Sequence, residues 1–257
     1  MYALLAQAAA GPDSESFERG LAWLKRLERP DGGWAPHRSV PESTWVTALA
    51  VLLLATTKRA YSPPGSHIKW LIEQSGQEST LVHRLRQWLM GNKSDYEENP
   101  SGWCWFPGTA AWVIPTSLSI LALQKAARFG PSSEIAARVE SGRKFLLSRT
   151  CRDGGWNHGS SRALGYQAVS YPETTGIALL ALHGVESSKI AAALECGARH
   201  FQNCRSPEGF NWLKLGLAAH GRPVERADKP PEPRHTLDVA LAILSDAGAG
   251  GKNIFLE

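Results

Sequence analysis

The chain is 257 residues long, 43% hydrophobic and 20% charged, so it has the means to bury a substantial core and is too apolar to stay disordered. Its formal charge of +4 comes from 28 basic residues dispersed among 24 acidic ones, which excludes the long basic run that a nucleic-acid partner would favour. Cys104, Cys151, Cys196 and Cys204 form no C-x-x-C pair and no disulfide framework, which predicts a reducing, cytoplasmic setting.

Met1 to Ala10 is apolar, has no basic residue ahead of it and is too short to cross a bilayer. It predicts a helix or tail packed on a single domain spanning 1–257, and no segment reads as transmembrane. From Ser14 an amphipathic stretch leads to Pro30, Asp31, Gly32, Gly33 and Trp34, where glycine tolerates the positive φ of a tight turn. Glu42 to Val51 is a second kind of helix, almost free of charge. Gln87, Trp88 and Leu89 belong to a looser copy that reaches Gly102 and Trp103 across a polar insert from Asn92 to Ser101, and Pro115 to Leu123 is its charge-free helix.

Ile135, Val139, Gly142 and Leu146 recur at steps of three and four, the pattern of a helix with one buried face. A second turn of the same kind follows at Arg152, Asp153, Gly154, Gly155 and Trp156, and Glu173 to Leu182 is again nearly charge-free. Ile190 to Phe201 repeats the amphipathic pattern. Ala219 to Arg234, with Gly221, Pro223, Pro230, Pro231 and Pro233, predicts a long loop before a last apolar helix from His235 to Ile243.

The copies keep phase. A shift of 55 carries Ile135, Val139, Gly142, Leu146 and Gly154 onto Ile190, Leu194, Gly197, Phe201 and Gly209. A shift of 122 the other way carries Gly142, Phe145, Leu146, Gly154 and Trp156 onto Gly20, Trp23, Leu24, Gly32 and Trp34. Thr44, Thr116, Thr175 and Thr236 take matching places in the charge-free helices. A helix apolar all round must be buried all round, so the alternation predicts an inner layer of apolar helices and an outer layer of amphipathic ones. The fold class is all-α: an α/α toroid of about four to five helix hairpins, closed or one or two hairpins short of a six-hairpin ring.

The stretch from Arg19 to Trp34, with Gly20, Trp23, Leu24, Glu28 and Gly32, resembles the QW motif of triterpene cyclases, and Ser141 to Trp156 is a similar copy. Glu28 and Thr150 stand where that family has Gln. The resemblance covers roughly residues 14 to 245 and implies the toroid of terpenoid cyclases and protein prenyltransferases, with Trp34 and Trp156 tying outer helices to turns. Class II terpenoid cyclases carry their proton donor in an Asp-x-Asp-Asp-Thr-Ala motif at the start of an inner helix. The matching stretch here runs from Tyr171 to Gly176 and offers only Glu173, with Glu42 in the like position of its own repeat. Prenyltransferase β subunits bind zinc through Asp, Cys and His. Asp228 and His235 resemble the end of that stretch, without the cysteine.

These residues give the candidate site. Glu173, Glu42 and Asp238 are candidate acids; each glutamate also suits a capping role at a helix N-terminus, and Asp238 also suits a bond to Arg234 four residues back. Trp45, Trp105, Trp112, Trp212, His37, His158 and His235 are candidate substrate contacts at the end where outer-to-inner loops and inner-helix N-termini gather. The resemblance implies an isoprenoid-handling protein that starts a cyclisation or isomerisation by acid in an apolar, aromatic cavity, where ring faces stabilise carbocations. A non-catalytic toroid that binds a lipid, a peptide, a membrane surface or a protein partner fits the same residues, as does a diverged zinc-dependent prenyltransferase-like enzyme. For a diphosphate, Arg222, Arg226, Lys229 and Arg234 supply a modest basic mouth. No cofactor or metal site is expected.

Overall fold

The structure, a computed structural model, describes residues 1–11, 14–57, 65–77, 101–159, 162–163, 166–222, 225 and 228–257, with the backbone alone at 162–163 and 166–167. Its helices are α1 (Tyr2–Ala10), α2 (Glu15–Arg26), α3 (Val46–Thr57), α4 (Ser66–Glu73), α5 (Val113–Ala126), α6 (Ser133–Ser148), α7 (Pro172–Ala181), α8 (Ser188–Asn203), α9 (Pro207–Ala219) and α10 (Thr236–Ala249). Two antiparallel ladders, β1 (Trp103–Cys104) with β2 (Ala111–Trp112) and β3 (Arg162–Ala163) with β4 (Tyr166–Gln167), lie in the loops. The architecture is therefore all-helical apart from these short pairs.

Serine caps set where several helices begin. Ser14, Ser132, Ser187 and Ser206 each accept a backbone N–H from the first turn of α2, α6, α8 and α9, satisfying a donor that the helix leaves free. The two glycine turns lie as predicted, with Gly32 at φ 84° and Gly154 at φ 97°. The phase of 55 also holds: α6 and α8 start at Ser133 and Ser188 and end at Ser148 and Asn203.

Burial separates two kinds of helix. Every residue of α3 from Val46 to Ala55 is buried, and α5 and α7 are buried along most of their length. By contrast α2 buries one stripe (Phe17, Leu21, Leu24) and α8 another (Ile190, Ala193, Cys196, Gly197, Phe201). Packing follows a cyclic order: α1 on α3, α3 on α5, α5 on α7, α7 on α9, α9 on α10, and α10 back on α1. The amphipathic helices cover this cycle from outside, α6 against α5 and α8 against α7 and α9. One buried cluster runs from Leu4 to Phe255. Among the described residues, no helix is long and apolar enough to cross a membrane.

A hydrogen-bond unit recurs three times. The indole N–H groups of Trp34, Trp103 and Trp156 donate to the carbonyls of Leu24, Leu71 and Leu146 at 2.9, 2.8 and 2.7 Å. Their backbone N–H groups donate to the hydroxyls of Thr47, Thr116 and Thr175 at 2.9, 2.8 and 3.1 Å. Each tryptophan thus staples an outer helix to an inner one through two buried bonds. The equivalent of Thr116 and Thr175 is Thr47 and not Thr44, because the first inner helix begins at Val46, after the position assumed from the sequence.

Two further expectations change. Trp103 anchors on α4, through Leu71, while the stretch containing Gln87, Trp88 and Leu89, read from the sequence as its copy, lies outside the described residues. Arg138 fixes that arrangement by donating to the carbonyls of Gln74, Ser101 and Gly102 while lying over the Trp103 ring. Gly209 does not end a helix as Gly154 does; it lies inside α9, which starts at Pro207 only four residues after Asn203. Consequently α9 takes the inner place of the fourth unit, and α10, with Thr236, follows it. The helix expected at Met1 to Ala10 is α1, and it packs between α10 and α3.

Candidate functional site

Three successive members of the cycle place one acid each in their first turns: Glu173 in α7, Glu208 in α9 and Asp238 in α10. Local bonds fix the phase of each. At α7, the N–H of Tyr171 donates to the carbonyl of Trp156 at 2.8 Å, and Thr174 and Thr175 turn their hydroxyls to the same tryptophan. Glu173 is left facing away from Trp156 toward His158, with His158 Nε2 3.5 Å from Glu173 Oε1. The His158 ring lies 5.2 Å from that of Tyr171, and the His158 carbonyl accepts the N–H of Val113 at 2.9 Å, which seats the second glycine turn on the start of α5.

Glu208 arrives beside Glu173 because Gly209 has no side chain. A Cβ there would stand 2.8 Å from Pro172 and 3.4 Å from the backbone nitrogen of Glu173, so only glycine lets the first turns of α7 and α9 meet. Burial pushes the Glu208 carboxyl above its ordinary proton affinity; the charges of Glu173 and Asp238 push it further, while His235 and His158 oppose them. Half-buried Tyr2 of α1 has its phenol raised by burial and then by Glu208.

Asp238 is 2% exposed. Its Oδ2 accepts the backbone N–H of Arg234 at 2.9 Å, so the expected pairing with Arg234 is made by that residue's backbone, with its side chain exposed. His235 caps α10 by accepting the N–H of Asp238 at 3.4 Å and keeps its Nε2 3.7 Å from Asp238 Oδ1. The site therefore joins Glu173, His158, Asp238 and His235 from the sequence reading and adds Glu208 and Tyr2. Glu208 had a readable signal: Pro207-Glu208 opens α9 as Pro172-Glu173 opens α7.

The other candidates are spread out. Glu42 is exposed and precedes α3 by four residues, outside its first turn. His37 is exposed and bonds Ser39 Oγ at 2.7 Å, in a surface groove of about 430 Å³ with Trp23, Arg26, Arg29 and Arg38. Trp45 and Trp105 meet edge-on at 4.8 Å, joined by a bond from Trp45 N–H to the Trp105 carbonyl. Trp112 is 37% exposed and touches Gly159, beside His158. Trp212 is buried between Tyr2 and Phe255, at 6.1 and 5.6 Å, beneath the acids. The expected basic mouth is largely neutralised: Arg222 pairs with Glu195 and Lys229 with Glu232, while Arg226 lies outside the described residues.

Chemically, the arrangement offers a carboxylic acid that keeps its proton above the usual range, a carboxylate–imidazole couple to receive one, and aromatic rings nearby. Compared with known proteins, the chain matches no family model and no curated protein.

Proposed function

We propose that the chain is an α/α toroid that handles an isoprenoid, and that Glu208 starts a cyclisation or isomerisation by protonating a carbon–carbon double bond. Support for the toroid comes from the cyclic helix contacts and the repeated tryptophan staple. The observation that carries the chemistry is the raised proton affinity of Glu208 between two other acids. In the proposed step the Glu208 carboxyl gives its proton to one alkene carbon, the π electrons form the new C–H bond, and the adjacent carbon becomes cationic. Tyr171 and Trp112 present faces suited to that cation. The Glu173–His158 couple takes a proton from a neighbouring carbon, which regenerates a double bond, so the reaction needs no oxidant or reductant. Here the acid is paired across space, where cyclases pair theirs along one motif.

A second reading has its own support. Phe106, Trp112, Val169 and Tyr171 are 43%, 37%, 65% and 44% exposed, all in the outer-to-inner loops, as expected of a loop end that binds an apolar ligand or partner without turnover. The two readings separate on one experiment: incubation with linear isoprenoids and their diphosphates, with product analysis for wild type, Glu208→Gln and Glu173→Gln. The catalytic reading expects turnover that falls about 10²- to 10⁴-fold in Glu208→Gln. Turnover unaffected by Glu208→Gln overturns the acid assignment. A co-purified lipid or partner with no turnover of any isoprenoid favours the binding module.

A further inference from the structure

A different set of groups meets where the second glycine turn touches the next outer helix. Asp153 stands in the turn, Ser170 ends the loop before α7, and Cys196 and His200 sit four residues apart on one face of α8. The Asp153 carboxylate, the Cys196 sulfur and a His200 ring nitrogen all lie within 4.8 Å of one another. Ser170 Oγ sits among them, 2.7 Å from Asp153 Oδ2, 2.7 Å from His200 Nε2 and 3.4 Å from Cys196 Sγ.

The repeat shows which part of this arrangement is scaffold. In the first unit Asp31 accepts the N–H of Gly33 at 3.0 Å and the hydroxyl of Ser43 at 2.8 Å, as Asp153 accepts those of Gly155 and Ser170. The Asp–Ser pair is therefore a turn device common to both. The neighbouring outer helix differs. Gly32 abuts Ser66 of α4 as Gly154 abuts Ala192 of α8. Four and eight residues beyond those contacts stand Trp70 of α4 and Gln74 just past its end, whereas α8 carries Cys196 and His200. The third unit has added a thiol and an imidazole to a carboxylate that the turn already held in place.

We propose that Asp153, Cys196 and His200 bind a divalent zinc-class cation, which clips the second glycine turn to α8. One sulfur, one nitrogen and one oxygen form a donor set for zinc. With metal–ligand bonds of about 2.0–2.3 Å, tetrahedral donors stand about 3.3–3.8 Å apart, so the present spacing closes on an ion through side-chain rotation. Ser170 then serves as an outer donor to Asp153, and water fills the fourth position. Burial lowers the proton affinity of His200, which favours a free lone pair, against the opposing fields of Asp153 and Glu173. Burial works against ionisation of Asp153, but bonds from Ser170 and Gly155 outweigh it and hold the carboxyl below its usual range. The Cys196 thiol is raised by burial, so the cation must displace its proton. The two negative ligands balance the dication, and the nearby Arg199 guanidinium donates to the Asp153 carbonyl at 3.1 Å.

The test uses the whole chain, stripped with a chelator and titrated with Co²⁺ and Zn²⁺. We expect one equivalent of Co²⁺ with a near-ultraviolet thiolate charge-transfer band, one proton released, and a Tm that rises with excess Zn²⁺. Cys196→Ala and His200→Ala should lose both the band and the Tm rise, and Cys204→Ala should keep them, with far-ultraviolet circular dichroism reporting the fold of each. Wild type with no thiolate band and no Zn²⁺-dependent Tm rise overturns the proposal. So does a Cys196→Ala chain that binds either ion as tightly as wild type.

Discussion

The carbonyl oxygen of Gly176 in α7 lies where a Cβ on Gly216 of α9 would have to stand. A Cβ on Gly176 would likewise meet the backbone at Trp212 and Leu213, so the two helices cross backbone to backbone. Neither neighbour is a flexible side chain that could yield. Gly216→Ala should therefore cost about 1–3 kcal/mol of stability, read from the denaturant midpoint, even though alanine is the better helix former. An unchanged midpoint would mean that α7 and α9 do not meet in this way.

The tryptophan staple predicts a contrast between two threonines three residues apart. Thr47→Val removes the acceptor of a buried backbone N–H on Trp34 and should cost about 1–3 kcal/mol. Thr44 Oγ1 is buried with no hydrogen-bond partner among the described residues, so Thr44→Val keeps the shape, removes that hydroxyl and should leave stability unchanged or raise it. Equal losses in the two variants would restore Thr44 as the equivalent of Thr175.

Glu208 links activity to pH with a definite sign. Its carboxyl binds a proton more tightly in the fold than in the unfolded chain, so its contribution is fully present below the ordinary carboxyl value of 4.5 and is lost as pH rises through the raised value. Glu208→Gln should remove that loss, leaving the variant relatively more stable than wild type toward neutral pH. If Glu208 is the acid, wild-type turnover should also fall as pH rises through the same range. A wild-type and variant pair with parallel stability curves would show that Glu208 is not perturbed.

Three histidines act in the opposite direction. Burial lowers the proton affinity of His67, His200 and His220 below the ordinary 6.5; Glu28 opposes it at His67, and a bond to the Leu179 carbonyl opposes it at His220. Each folded value is depressed, so their contribution is present above 6.5 and is lost as pH falls through the depressed values. Denaturant midpoints should drop on moderate acidification, and the combined substitution of His67 and His220 by Gln should shrink that drop. A curve of unchanged slope in the double variant would contradict the assignment.

Much of this fold was legible because helix periodicity, caps and glycine turns act over a few residues. The 3.6-residue pattern from Ile135 to Leu146, the serines that cap α2, α6 and α8 and the Gly-Gly-Trp turns with positive φ at Gly32 and Gly154 all follow from local sterics and hydrogen bonding. The phase of 55 even gives both ends of α6 and α8. The sequence by itself determined an alternation of buried and half-buried helices, and the tryptophans that would join them.

Only the tertiary structure decided which helices those tryptophans reach and which acids meet. Trp103 bonds Leu71 across a long intervening stretch, because the two groups satisfy each other's buried polar atoms and no local rule selects the partner. Glu173, Glu208 and Asp238 belong to three helices; the close approach allowed by Gly209 brings the first two together, and burial beside those charges raises the proton affinity of Glu208. Asp153, Cys196 and His200 converge for the same reason. A sequence pattern records what a residue needs from its own helix, whereas proton affinity and ligand geometry depend on side chains that packing brings from elsewhere.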